Sequence, residues 1–528
     1  MNEDESAPAR GSQVGGHQGE VQAGGEGGLA AALRGSRRGR AFLLVIDSWA
    51  RTLFGGGAMV AILILVLIMV FLVWEGAGFI PEHHRSLVLY RRTGQEFVDA
   101  IRGPLVEHQA LNRYLSRVRA TDVDEMRKRG VGEAEAGEWL AAFDTFAANF
   151  RAAGAPLRSF VDGAAAVALD IKGRSQGWQG SDAAREANRL RELLPGATAA
   201  LGEFESALRA SMASVPASAG RGSEHAWARF RDMSGRLAAS IPGAVARATA
   251  WDPDRPVPMG ESLSAFFLGR RWAADSEWHE RYGLLPLLIG SLCISAVAIL
   301  VAVPFSVAAA IYVSQFATSA ERGLIKPTIE LIAAIPSIVL GFFGITVLGS
   351  GIQWLSGQPW MSWVPFFPVT ERLNIFTAGL MLALMASPTI FTLAEDALRG
   401  VPVQFEEGSL ALGATRFQTA VRMVVPAALS GIIAAVLLGF GRIVGETMVV
   451  LLVAGNRLEI PDFTQGFGAL FQPAHTMTGI IAQELGEAPG GSLHYRALFM
   501  VGLTLFVMVL MINCATEMVL RRFHRMRG

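Results

Sequence analysis

The chain has 528 residues, of which 51% are apolar and 17% charged, against roughly 25% charged in an average soluble domain. That balance excludes a wholly water-soluble protein, yet it holds too much charge for one lying entirely in a bilayer. The 46 basic and 46 acidic residues cancel, which excludes a strongly basic nucleic-acid surface.

Residues 1–40 are rich in Gly, Ala, Ser and Glu without apolar periodicity, and they read as a disordered cytoplasmic tail. Residues 41–78 hold the first candidate span, Gly55–Trp74, which is uncharged and long enough to cross a bilayer. Gly76-Ala77-Gly78 resembles a cleavage site, but the apolar run is too long for a secretory signal and its lead-in is unsuitable, so a signal anchor is expected.

Residues 79–282 carry more than half of all the charges, evenly split by sign. Helix formers dominate from Ser181, and Trp227, Phe230, Met233 and Leu237 recur three or four apart. Breaks at Gly103-Pro104, Gly154–Pro156, Pro195-Gly196 and Pro216 suggest a bundle of amphipathic helices. His83-His84 is a tempting metal pair. Adjacent residues do not share a helix face, so a solvated juxtamembrane pair is expected and no metal or other cofactor is assigned.

Residues 283–520 contain five further spans, near Leu284–Tyr312, Thr328–Leu348, Ile375–Leu393, Ala428–Ala454 and Ala497–Met518. Pro286, Pro304, Pro336 and Pro388 interrupt them, as membrane helices tolerate. Cys293 and Cys514 lie in these apolar runs and read as small core residues. Arginines crowd the chain before the first span and in the basic tail 521–528. Arg322, Lys326, Arg399, Arg416 and Arg422 fall on the same side, whereas Arg372, Arg457 and Arg496 are sparse on the other. Six spans with both termini cytoplasmic satisfy this asymmetry, and they put residues 79–282 on the extracytoplasmic side. The fold class expected is therefore an all-α membrane protein with a large helical insert between its first two spans.

The loop 395–427 is too rich in helix formers for a linker. It reads as helix–turn–helix at the membrane face, with Gly413 at the turn and Pro426 opening the next span. Small residues Gly408, Ser409 and Ala411 would let another protein approach closely; the plainer reading is an interfacial hairpin joining two spans. Glu407-Gly408-Ser409, then Gly413, then Met423-Val424-Val425-Pro426 keep the spacing of a cytoplasmic signature, E-A-A-x-x-x-G followed by I-x-L-P. By these residues the chain resembles bacterial ABC importer permeases. The resemblance implies that Glu407, Gly408, Ser409, Gly413 and Pro426 form the coupling element that docks on an ATPase subunit.

The fifth span has only two charges, Arg442 and Glu446. A charge at the centre of a membrane helix costs roughly 2.5–3.5 kcal/mol on insertion scales. At i, i+4 on one helix the two would share a face and neutralise each other, with Gly441 and Gly445 allowing close helix approach. Two readings stay open: a structural ion pair, or an anion site in which the arginine fork meets oxyanion oxygens. The run Gly441–Met448, with Glu330–Gly344, the stretch from Ser387 and Tyr282–Leu288, resembles phosphate-specific importer permeases of the PstC type over residues 262–528. This likeness carries phosphate translocation onto Arg442 and Glu446, with Thr447 beside them in the same run. The 79–282 insert departs from the family pattern, as does Ser387 before Pro388.

The function expected from the resemblance is ATP-driven import of inorganic phosphate by alternating access. It would proceed in the bacterial inner membrane with a second permease subunit, an ATPase dimer and an extracytoplasmic phosphate-binding protein. No G-x-x-x-x-G-K-[ST] loop occurs, so this chain is not read as the ATPase or as an enzyme. Import of molybdate, sulfate or a phosphonate, and sensing through the helical insert, are the alternatives.

Overall fold

The computed structural model describes residues 37–175, 189–217, 221–274, 278–361, 363–364 and 366–525. Of the tail 1–40 expected to be disordered, 1–36 lie outside these residues and 37–40 open the first helix; the helix-rich stretch from Ser181 lies partly outside them, at 181–188. Six helices among the described residues are long and apolar enough to cross a membrane.

The first helix, α1 (Arg37–Arg92), continues well past its apolar run. Residues through Phe71 form one compact unit, whose apolar side chains from Met59 onward are mostly exposed, as lipid contact requires. The second unit begins at Leu72. There Gly76 and Gly78 pack α1 closely on the last helix: a Cβ at either would stand 3.3 Å from Leu503 or Arg496 side-chain atoms. Arg496 also pairs with Glu82.

The described part of the insert is mostly helical: α2 (Gln95–Arg129), α3 (Glu133–Ala153), α4 (Ala155–Arg174), α5 (Leu194–Met212) and α6 (Arg221–Thr249). Its core is aromatic, with Phe97, Phe146, Phe150, Phe204, Trp227 and Phe230 fully buried together. Each such side chain contributes roughly 1.5–3 kcal/mol on burial. The stripe expected on α6 is present, with Trp227, Phe230 and Leu237 inside and Met233 at the edge. Trp227 Nε1 donates to the buried Asp122 carboxylate at 2.7 Å, so the indole N–H is not left unsatisfied.

A short helix, α7 (Met259–Phe267), and a two-stranded ribbon lead from the insert to the second span. In the ribbon β1 (Trp272–Ala273) runs antiparallel to β2 (Arg281–Tyr282), with Trp272 opposite Tyr282. Asp99 of α2 gathers this junction: it accepts from Tyr90 Oη at 2.7 Å, from Trp278 Nε1 at 3.0 Å and from the Arg281 guanidinium. Arg229 of α6 pairs with Asp462, far along the chain in the loop after the fifth span. His83 is not solvated as expected. It is 3% exposed and stacks on Phe79 with ring centroids 4.8 Å apart, because the chain between α7 and the second span folds back over this part of α1.

The elements that follow are α8 (Leu285–Gln315), α9 (Ser319–Ala334), α10 (Ser337–Phe343), a π-turn (Gly344–Gly349), α11 (Ser350–Ser356), α12 (Ile375–Arg399), α13 (Val403–Ala411), α14 (Arg416–Thr419), a π-turn (Ala420–Val424), α15 (Val425–Val444), α16 (Met448–Val453), α17 (Met477–Glu484) and α18 (Leu493–Arg525). α8, α12 and α15 form the packed centre. α15 approaches α12 through Gly431 and Gly439: a Cβ there would meet Ala397 Cβ at 2.4 Å and Ile390 Cγ1 at 2.5 Å. These two glycines, rather than Gly441 and Gly445, make the close crossing.

Three expectations are corrected. The third span does not run Thr328–Leu348: α9 stops at Ala334 and a new helix starts at Ser337, because Pro336 cannot donate and holds Ile335 extended. The fifth span does not continue to Ala454 as one helix but breaks after Val444. Cys514 is exposed on α18, and Cys293 is half-buried.

Candidate functional site

The break in the fifth span rearranges the two intramembrane charges. Arg442 lies in the last turn of α15, and Glu446 lies outside any helix, between α15 and α16. They therefore do not share a helix face, and no Arg442–Glu446 ion pair occurs among the described residues. Arg442 Nη1 instead donates to the Thr389 hydroxyl of α12 at 3.0 Å. Glu446 Oε1 accepts from Val449 N–H at 3.4 Å, over the first turn of α16. Each charge sits where a helix end favours it, the cation at a C-terminus and the carboxylate at an N-terminus. Such placement contributes about 0.3–1 kcal/mol, less than the cost of holding a charge inside the membrane. The Glu446 carbonyl accepts from the Thr478 hydroxyl of α17 at 2.7 Å, which fixes the break in place. Thr447 is the residue before α16, and its hydroxyl donates to the Gly445 carbonyl at 3.4 Å. The arrangement leaves a guanidinium exposed on this chain's surface, held by one neutral hydroxyl.

At the other end of α12 the chain turns into α13. Gly413, at φ +86°, ends that helix with Gly413 N–H to the Leu410 carbonyl and Ala414 N–H to the Ser409 carbonyl. This paired closure needs a left-handed residue, which only glycine adopts without strain. Glu407 and Gly408 are exposed, and a side chain at Gly408 would meet nothing within 4 Å. Ser409 turns inward: its hydroxyl lies 3.0 Å from that of Thr419 and ties α13 to the following helix. Thr415 and Gln418 cap α14 reciprocally. The π-turn then leads into α15, with Pro426 in its first turn. Apolar side chains stay uncovered here, with Phe405 53%, Phe417 66% and Leu412 91% exposed.

Sequence reasoning missed Thr389 and Glu395. A threonine in the Ser387-Pro388-Thr389 run carries no charge to signal a role, and its partner lies 53 positions away. Ser387, unexpected before Pro388, donates to the Ala383 carbonyl at 2.7 Å. Glu395 is fully buried on α12, with Lys326 Nζ of α9 at 2.8 Å and the Arg399 guanidinium at 2.7 Å. A carboxylate at the end of an apolar run was the available signal.

The family model described as "Binding-protein-dependent transport system inner membrane component" matches residues 302–525, a stretch that holds all of the residues above. A probable ABC transporter permease protein, YqgH, of Bacillus subtilis is 35% identical over 47% of this chain and 75% of its own length. Phosphate transport system permease proteins PstC of Pasteurella multocida and Haemophilus influenzae are 31% and 32% identical, over 51% of this chain and 84% and 85% of theirs. The chain belongs to this family of inner-membrane transport components. As a member, it is a multi-pass membrane transport subunit rather than a catalyst. The family's match begins inside α8, after the helical insert.

Proposed function

We propose that this chain is a permease subunit of an ATP-driven importer of inorganic phosphate. The observation that carries the reading is Arg442, a cation within an apolar span whose only hydrogen-bond partner among the described residues is a neutral hydroxyl. The PstC names of the relatives supply the anion. A guanidinium without a carboxylate can meet phosphate oxygens directly, and its fork suits them. The neutral Thr389 orients the guanidinium without neutralising it, so a passing anion is the counter-charge. Glu446, held at the α16 end, discourages the anion from resting there and favours its release.

Transport then needs movement. In this reading, α13 and its flanking turns lie on the cytoplasmic side and dock on an ATPase dimer through Glu407, Gly408 and the exposed apolar side chains around them. Gly413 sets the turn, and the continuous path through Pro426 transmits a displacement into α15, at whose far end Arg442 sits. A second permease subunit covers the exposed Arg442 face, and an extracytoplasmic binding protein delivers phosphate. Both termini are cytoplasmic.

The test is uptake by proteoliposomes holding this chain with its co-encoded partners. Labelled phosphate should accumulate with ATP, and excess sulfate, molybdate or phosphonate should not compete. Accumulation of one of those anions, unaffected by phosphate, would overturn the substrate assignment.

A further inference from the structure

Beside α1, α7 and the β1–β2 ribbon lies a cavity of about 340 Å³, room for roughly ten waters at about 30 Å³ each. Its lining brings together Arg270, Arg271, Arg281, His83, His279 and Tyr90, and among the described residues no carboxylate lines it. Arg281 is already matched by Asp99 and Tyr90. Arg270 and Arg271 are exposed and pair with no carboxylate among the described residues. His83 is the telling group. It is 3% exposed, yet neither ring nitrogen has a hydrogen-bond partner among the described residues. A buried imidazole without partners is rare unless a ligand or water supplies them.

We propose that this cavity binds a phosphoryl oxyanion. Two guanidiniums that pair with no carboxylate among the described residues, and an imidazole N–H, offer several donors to an ion with several acceptor oxygens. His279 reports the same local field: burial first, and then the Arg281 guanidinium, push its pKa down to about 3. The site shares no residue with the Arg442 region, so it stands apart from the transport reading. Two sources offer this chemistry, free phosphate and a phospholipid headgroup. α7 supplies an apolar neighbour for the second: Met259, Leu263, Phe267 and Leu268 are exposed at helical spacing, immediately before Arg270.

The experiment uses the full chain in detergent with two probes. Inorganic phosphate binding is measured by equilibrium dialysis. Retention of phosphatidylglycerol from mixed phosphatidylcholine–phosphatidylglycerol vesicles is measured by native mass spectrometry. R270Q/R271Q changes exposed side chains, H83N changes the buried one, and circular dichroism checks that each folds. At least one probe should bind the wild type and weaken about tenfold or more in R270Q/R271Q, and less in H83N. Loss of phosphate binding assigns a free-ion site, and loss of lipid retention assigns a headgroup site. Failure of both probes to bind wild type, or equal binding in wild type and R270Q/R271Q, would overturn the proposal.

Discussion

At the scale of single residues, the intramembrane charges are separated by the helix break and not joined in a pair. Their energetic coupling should therefore be small. In a double-mutant cycle of Arg442→Gln and Glu446→Gln, read by unfolding in detergent, the two effects should add to within about 0.5 kcal/mol. An ion pair would leave a larger residual. Thr389→Val removes the hydrogen bond that orients Arg442, worth about 1 kcal/mol, and uptake should fall about fivefold with folding intact. Glu395 behaves differently because it is buried between two cations. Glu395→Ala should destabilise the chain by about 3 kcal/mol, measured by denaturant unfolding, since Lys326 and Arg399 lose their shared counter-ion. The sequence made Arg442 and Glu446 conspicuous because charges are rare in apolar runs. It could not reveal Thr389 or the buried state of His83, whose neighbours come from distant segments.

At the scale of elements, apolar length gave the number of spans and the place of most of them, since a run of about 20 residues has few other places to go, but it misplaced the third. Their interruptions were less legible. Pro336 carried a clear reason to stop a helix, and it does so. The break after Val444 has no proline: Gly445 ends α15 and Thr478 of α17 holds the next carbonyl, a tertiary contact invisible to local pattern. The turn at Gly413 was legible, because a glycine after a helical run is a stop signal. Gly413→Ala should cost about 1 kcal/mol through strain at φ +86°. If α13 couples to an ATPase, the same variant should lower uptake more than basal ATP hydrolysis, as assayed in the reconstituted complex.

At the scale of the whole molecule, the charged insert and the apolar spans account for the mixed composition. The insert is joined to the segment leading into the second span through Asp99, Tyr90, Trp278 and Arg281, and to the loop after the fifth span through Arg229 and Asp462. Its histidines make that region sensitive to acid. Burial lowers the pKa of His108, and burial with Arg281 lowers that of His279 to about 3. A histidine whose folded pKa is depressed takes up fewer protons folded than unfolded, so stability falls as pH drops below about 6.5 toward about 3. Melting should shift downward between pH 7.5 and pH 5, and His279→Gln should reduce that shift. The proposed transport rests on Arg442, which pairs with no carboxylate among the described residues, as a counter-charge for the anion. The most direct measurement is ATP-driven phosphate uptake by the reconstituted complex carrying Arg442→Gln. Uptake at least about tenfold below wild type, with assembly and ATP hydrolysis retained, is the expected result. Wild-type uptake in that variant would contradict the role assigned to Arg442.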